Sequence, residues 1–221
     1  MIAAPVSARE AKLTEVPDNG HAMAPYMMSV ALWVGCIAYS LMYPLTEYQG
    51  EMKSGAAWWL SKASVLYPVA LLQAVVMVGA LHALDGFAPA RMGQTLLIAC
   101  LASVTFMSVM YFFTSLLGRI GSFLMLVFMV VQLAGSVGTY PLEISGSFVK
   151  YLHDWVPFTY TVKAFRSAIC AGQDVSGCAL YLALWAAVFT LLTLVVFAVR
   201  AKHIRAGKPT LTPWLERHRL A

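Results

Sequence analysis

Five stretches long enough to cross a bilayer contain no Asp, Glu, Lys or Arg: Ala24 to Leu45, Ala63 to Leu84, Gln94 to Leu117, Ile120 to Val137 and Cys178 to Val199. A hydrocarbon core about 30 Å thick needs roughly 20 apolar residues at about 1.5 Å per residue, so each stretch can span it. Only Gly118 and Arg119 separate the third stretch from the fourth. A continuous helix from Gln94 to Val137 would far overshoot the bilayer, so this region reads as a tight helical hairpin. The chain is therefore expected to be an all-α integral membrane protein with about five transmembrane helices.

Composition agrees: 60% of the 221 residues are hydrophobic and only 11% charged, with a mean hydropathy of +0.73. Soluble domains carry about 25% charged residues. The net charge of +5 collects towards the C-terminus and forms no aromatic-interleaved stripe, which points to a lipid surface and away from nucleic acid. The four cysteines form no C-x-x-C pair, and no metal site or cofactor is expected. Met1 to Gly20 holds Arg9, Glu10, Lys12, Glu15 and Asp18 and lacks the apolar core of a secretory signal peptide.

Lys and Arg set the expected orientation. With the C-terminus cytoplasmic, the inner side holds Lys53, Lys62, Arg119, Arg200, Lys202, Arg205, Lys208, Arg217 and Arg219. The outer side holds Arg9, Lys12, Arg91, Lys150, Lys163 and Arg166, offset by seven acidic residues. That asymmetry places the N-terminus outside. The expected division is an external segment over 1–22, a transmembrane domain over 23–200 and a basic cytoplasmic tail over 201–221.

Two connections stand out. From Tyr140 to Gly177 the chain is apolar in places but interrupted by Pro141, Gly146, Pro157 and Gly172. Between Ser147 and Val156, Phe148, Leu152, Trp155 and Val156 share one helical face, with Lys150, His153 and Asp154 opposite. After Pro157, Tyr160, Ala164, Phe165, Ala168 and Ile169 repeat the pattern, with Thr159, Lys163 and Arg166 opposite. Two readings are open: a partly inserted outer hairpin, or two helices lying on the headgroups. The inner loop from Thr46 to Lys62 has room for a cytoplasmic helix carrying Trp58 and Trp59, either as an interfacial anchor or as a docking element.

No catalytic constellation is present, and the chain reads as no enzyme. Gly207-Lys208 is followed by Pro209 and forms no phosphate-binding loop, so any ATP hydrolysis is assigned to a separate chain. The polar residues inside the spans, Gln73, Ser103, Thr105, Ser108, Thr114, Gln132 and Ser136, are all neutral. That argues against a proton-coupled antiporter, and interhelical hydrogen bonding is their expected role. Gly79 with Ala83, and Ala134 with Gly138, are small-residue pairs suited to close packing within the chain or across a homodimer. Cys170 and Cys178 flank a turn on the expected outer face and are a candidate disulfide pair, whereas Cys36 and Cys100 lie in spans.

The stretch Gln132-Leu-Ala-Gly-Ser-Val-Gly-Thr139, followed by Tyr140-Pro-Leu-Glu-Ile144, Pro157-Phe-Thr-Tyr160 and Ala164-Phe-Arg-Ser-Ala-Ile169, resembles the C-terminal membrane domain of the YhgE/Pip (phage infection protein) family. Val16-Pro-Asp-Asn-Gly-His-Ala-Met-Ala-Pro-Tyr26, running into Leu32-Trp-Val-Gly35, resembles that family's entry into the domain, so the likeness covers about Val16 to Arg200.

The resemblance implies a fold similar to type-two ABC exporter permeases: six spans, a cytoplasmic coupling element after the second and a re-entrant external hairpin before the last. The five spans here match the last five, which makes Thr46 to Lys62 the candidate ATPase-coupling loop and 140–177 the hairpin. Family members typically begin with a further span and a large external region. Either this chain is the C-terminal part of a longer protein, or it is a shortened relative that needs a partner.

The functional expectation is a bacterial plasma-membrane permease-like subunit, with an ATP-binding partner in trans and a homodimer as candidate assembly. The cargo implied is lipid-like, polymeric or amphipathic. The alternative is a non-transporting scaffold or a phage- or secretion-related surface receptor. The residues expected to matter are Pro141, Glu143, Pro157, Lys163 and Arg166 in the hairpin, and Trp58, Trp59 and Lys62 in the inner loop.

Overall fold

The computed structural model describes residues 19–47, 54–136, 151, 153–170, 172 and 174–206. Six helices are named here in chain order: α1 Asn19–Met42, α2 Gly55–Asp85, α3 Met92–Leu117, α4 Arg119–Gly135, α5 Pro157–Ile169 and α6 Ser176–Arg205. No strand occurs among the described residues. Four helices (α1, α2, α3 and α6) are long and apolar enough to cross a membrane, and α4 is a shorter apolar helix. The chain is thus an all-helical membrane protein with about five spans.

α3 is the hub, packed by each of the other five described helices. Its interior stretch from Thr105 to Tyr111 is buried all round, whereas α2 and α6 leave rows of Leu and Val facing outward. In water those rows would be a liability; in a bilayer they are the lipid surface.

Gly118 breaks the chain between α3 and α4 with φ 65° and ψ −136°, a backbone region that side chains with a Cβ rarely adopt. The two helices then run antiparallel. Trp33 packs on Phe106 and on Phe128, which lie on opposite sides of the turn, and Thr114 hydrogen-bonds Ser122 across it at 3.1 Å. A Cβ on Gly121 would collide with the Phe113 carbonyl, so the close approach requires glycine.

At the opposite end α2 stops at Gly86, whose φ of 67° forms the left-handed cap, and the Phe87 N–H reaches back to the Leu81 carbonyl at 3.2 Å. The 46–62 region contains no separate cytoplasmic helix among the described residues. Capped by the Ser54 hydroxyl on the Ala57 N–H at 3.0 Å, α2 runs unbroken from Gly55 through Trp58, Trp59 and Lys62 into the span.

Candidate functional site

α4, with 17 residues, rises about 25 Å from the Gly118 turn, against about 39 Å for the 26 residues of α3. It therefore ends well below the level at which α3 begins, and α5 occupies the space left over. The C-terminus of α5 is fixed to the α2–α3 connection by two main-chain bonds, Ala90 N–H to the Ile169 carbonyl at 3.0 Å and Arg91 N–H to the Ala168 carbonyl at 3.1 Å. Its other end lies deep in the bundle, where Phe158 stacks on Phe106 at 6.2 Å and meets Tyr26 edge-on at 6.0 Å.

α5 packs against α1, α3, α4 and α6, so it is inserted and does not lie on a surface. Its buried face includes Phe158, Thr159, Thr161, Val162, Ala164, Phe165, Ala168 and Ile169, and only a strip around Lys163 and Arg166 looks out. Thr159, which the helical pattern groups with those cations, is instead 0% exposed. Ahead of the helix His153 and Trp155 are likewise inverted relative to the sequence pattern, whereas Val156 is buried and Asp154 exposed as the pattern predicts. His153 is buried, with Nδ1 2.8 Å from the Gly135 carbonyl, while Trp155 is 63% exposed. Short amphipathic patterns fail here because the helix is enclosed on several sides, so no single polar face has to exist.

The polar residues in the bundle separate into satisfied and unsatisfied groups. The Gln73 amide N–H groups donate to Ser103 Oγ at 2.7 Å, the Leu32 carbonyl at 3.2 Å and Cys36 Sγ at 3.2 Å, binding α1, α2 and α3 together. Ser103 passes its own proton to the Ala70 carbonyl at 2.6 Å. Tyr67, Ser108 and Thr190 form a hydroxyl triad across α2, α3 and α6, with oxygens 2.9 to 3.3 Å apart. Thr105 donates to the carbonyls of Leu101 and Leu182. These are interhelical ties of the expected kind.

Gln132 differs. It is 0% exposed, on the buried stripe of α4 that also holds Ser122, Met125 and Ser136, yet neither amide atom has a hydrogen-bond partner among the described residues. One helical turn beyond it, the Gly135 carbonyl accepts from the His153 ring, which leads into α5. There Val156, the residue preceding Pro157, offers no side-chain cap, and the Thr159 hydroxyl in the first turn is likewise unpaired. The last turn of α4 thus carries an unspent amide and the first turn of α5 an unspent hydroxyl and an uncapped start, and the two ends are tied by the His153 to Gly135 contact. Each unsatisfied group of this kind costs about 1 to 3 kcal/mol; Trp33 Nε1, Trp59 Nε1 and Ser115 Oγ are also buried without a partner among the described residues, and Gln132, with both amide atoms unspent, marks this junction as the candidate site. By sequence Gln132 is expected to hydrogen-bond between helices, and among the described residues it does not; the absence of a capping residue before Pro157 is the legible signal for the rest.

The residues anticipated for the inner loop point inward. Trp58 is 5% exposed and meets Phe197 edge-on at 4.7 Å, Tyr111 donates to the Trp59 carbonyl at 3.1 Å, and Lys62 donates to the Pro44 carbonyl at 2.7 Å beneath the Tyr43 ring. The outward positions nearby are Ala56, Ala57 and Leu60. Pro157 opens α5, Lys163 lies over the Tyr160 ring, and Arg166 is exposed near the helix end. Cys170 and Cys178 are free thiols, with no bridge formed between them. Pro141 and Glu143 lie outside the described residues.

A family model described as ABC-2 family transporter protein matches residues 17–195. The chain belongs to this family of ABC transporter membrane proteins. It is also 30% identical over 173 residues to the uncharacterized protein YhgE of Bacillus subtilis (strain 168), an alignment covering 78% of this chain and 22% of that protein. The chain therefore spans about a fifth of the length of that relative. No solved structure matches.

Proposed function

We propose that this chain is the permease-like subunit of an export system that moves a lipid-like, polymeric or amphipathic substrate, with energy supplied by a separate ATP-hydrolysing chain. The observation that carries this reading is the α4–α5 junction. Within a transporter family, an amide and a hydroxyl buried without partners among the described residues are groups kept for a polar moiety that enters when the bundle opens.

The ATPase acts at the Gly118 end, on the 46–62 segment, through the outward Ala56, Ala57 and Leu60 side of α2 rather than through the tryptophans. The N-terminus is external and the C-terminus cytoplasmic, in a bacterial plasma membrane. A homodimer is supported by Gly79, which is exposed on α2 and where an added Cβ would meet nothing within 4 Å.

The test is crosslinking from a photoreactive residue at position 60 in the native membrane, followed by mass spectrometry. Recovery of an ATPase carrying a phosphate-binding loop, lost when Ala56 and Ala57 are made Glu, supports the exporter. Recovery of envelope or secretion proteins with no ATPase makes the chain a scaffold and removes the coupling proposal.

A further inference from the structure

At the Gly118 end of the bundle a cavity of about 580 Å³ opens between the end of α1 and the α3–α4 turn, lined by residues that include Ser40, Glu47, Thr114, Arg119 and Ser122. That volume falls within the range of about 300 to 1,000 Å³ typical of ligand sites. Its chemistry differs from the rest of the bundle. Arg119 brings a guanidinium with five N–H donors, and among the described residues it has neither a hydrogen bond nor an ion pair.

Thr114 and Ser122 are both buried and share one hydrogen bond of 3.1 Å, which uses one of their two hydroxyl protons and leaves the other to donate. Ser40 is committed to the Ile37 carbonyl at 2.8 Å and can only accept. Glu47 contributes a carboxylate to the same wall, with the Lys62 ammonium within Coulombic reach.

Position narrows the ligand further. The cavity lies where the apolar runs give way to charged residues, at the depth of lipid headgroups. Leu41 and Met42 on α1 and Phe123 and Leu124 on α4 face outward beside it, as a surface for acyl chains would. We propose that this cavity binds the headgroup of a phospholipid. Arg119 and the uncommitted hydroxyl proton take the phosphodiester, and Glu47 accepts from a headgroup donor. Ethanolamine and glycerol headgroups carry such a donor and choline does not. The site is independent of the transport reading above and stands whether or not the chain exports a substrate.

The experiment titrates the full chain, purified in detergent, with dihexanoyl phosphatidylethanolamine, phosphatidylglycerol and phosphatidylcholine, and with soluble glycerol 3-phosphate. Melting temperature and retention of lipid in native mass spectrometry are the readouts. The ethanolamine and glycerol lipids are expected to bind at least tenfold more tightly than the choline lipid.

Arg119→Gln is expected to lower affinity for both donor-bearing lipids at least tenfold, with Arg119→Lys intermediate. Glu47→Ala, which removes the acceptor, is expected to lower affinity for the ethanolamine and glycerol lipids more than for the choline lipid, narrowing the preference at least threefold. Equal affinity for all three lipids, or wild-type affinity in both Arg119 variants, overturns the proposal. Binding of glycerol 3-phosphate as tight as that of the lipid overturns the assignment to a membrane lipid.

Discussion

Gln73 and Gln132 allow one substitution to be made in opposite contexts. Gln73→Leu removes three hydrogen bonds, to Ser103, Leu32 and Cys36. At about 0.6 kcal/mol per interhelical bond, the expected loss is about 2 kcal/mol. Ser103 keeps its donation to the Ala70 carbonyl, so no second group is orphaned.

Gln132→Leu removes an amide whose nitrogen and oxygen are both buried and unpartnered among the described residues. The expected change is a gain of about 1 to 3 kcal/mol, because the desolvation cost vanishes and no bond is lost. The two variants should therefore diverge in sign and differ by about 4 kcal/mol. Unfolding by sodium dodecyl sulfate in mixed micelles, followed by tryptophan fluorescence, measures both. A Gln132→Leu protein that loses as much stability as Gln73→Leu would show that Gln132 has a structural partner, and the argument for an unspent site at the α4–α5 junction would fail. If the gain is observed, the same stable variant should have lost its cellular function, a combination that a purely structural role does not produce.

Gly55→Leu should unfold or misassemble the protein at a cost of at least about 2 kcal/mol, since a Cβ there comes within 2.7 Å of the Phe197 carbonyl and the Ala198 Cα; thermal denaturation in detergent checks it. Trp58→Ala should cost about 3 kcal/mol through the cavity left against Phe197, whereas Leu60→Ala on the outward side should leave the melting temperature unchanged within error. Cys170 and Cys178 should both be alkylated by maleimide in the detergent-purified protein without prior reduction, and a requirement for dithiothreitol would establish the bridge that the structure leaves unformed. The Ser176 hydroxyl and N–H hold the Asp174 carboxyl below the ordinary carboxylate range. Because the folded-state value is depressed, this anchor is present above the unfolded value and is lost as pH falls through the folded one. Amide protection factors at the start of α6, corrected for the intrinsic pH dependence of exchange, should therefore fall on acidification, and Asp174→Asn should abolish that fall.

The spans were legible because exclusion of charge from lipid is a strong, local and length-calibrated signal. The five charge-free runs correspond to α1, α2, α3, α4 and α6. Less was legible wherever enclosure replaces lipid as the surroundings. α2 begins eight residues before its apolar run, at Gly55, because Trp58 buries against Phe197 and the chain there has protein to lean on. Thr159 and His153 look outward-facing by periodicity and are buried: α5 is surrounded by four helices, and His153, ahead of it, is held against the end of α4. The contrast between Gln73 and Gln132 could not be read at all: both are single amides in apolar runs, and only the packed neighbours decide which one is satisfied.

The way α5 is held has a mechanical consequence. Its C-terminal end is attached through main-chain bonds to Ala90 and Arg91, which no side-chain replacement removes, so it must travel with the start of α3. The other end rests on aromatic faces and one ring nitrogen. A rod of 13 residues is about 20 Å long, so a tilt of about 10° at the fixed end swings Pro157 by about 3.5 Å. That displacement exceeds the 2.8 Å length of the His153 to Gly135 bond. The inserted helix is a lever whose fulcrum is written into the backbone and whose moving tip is tied through His153 to the end of α4.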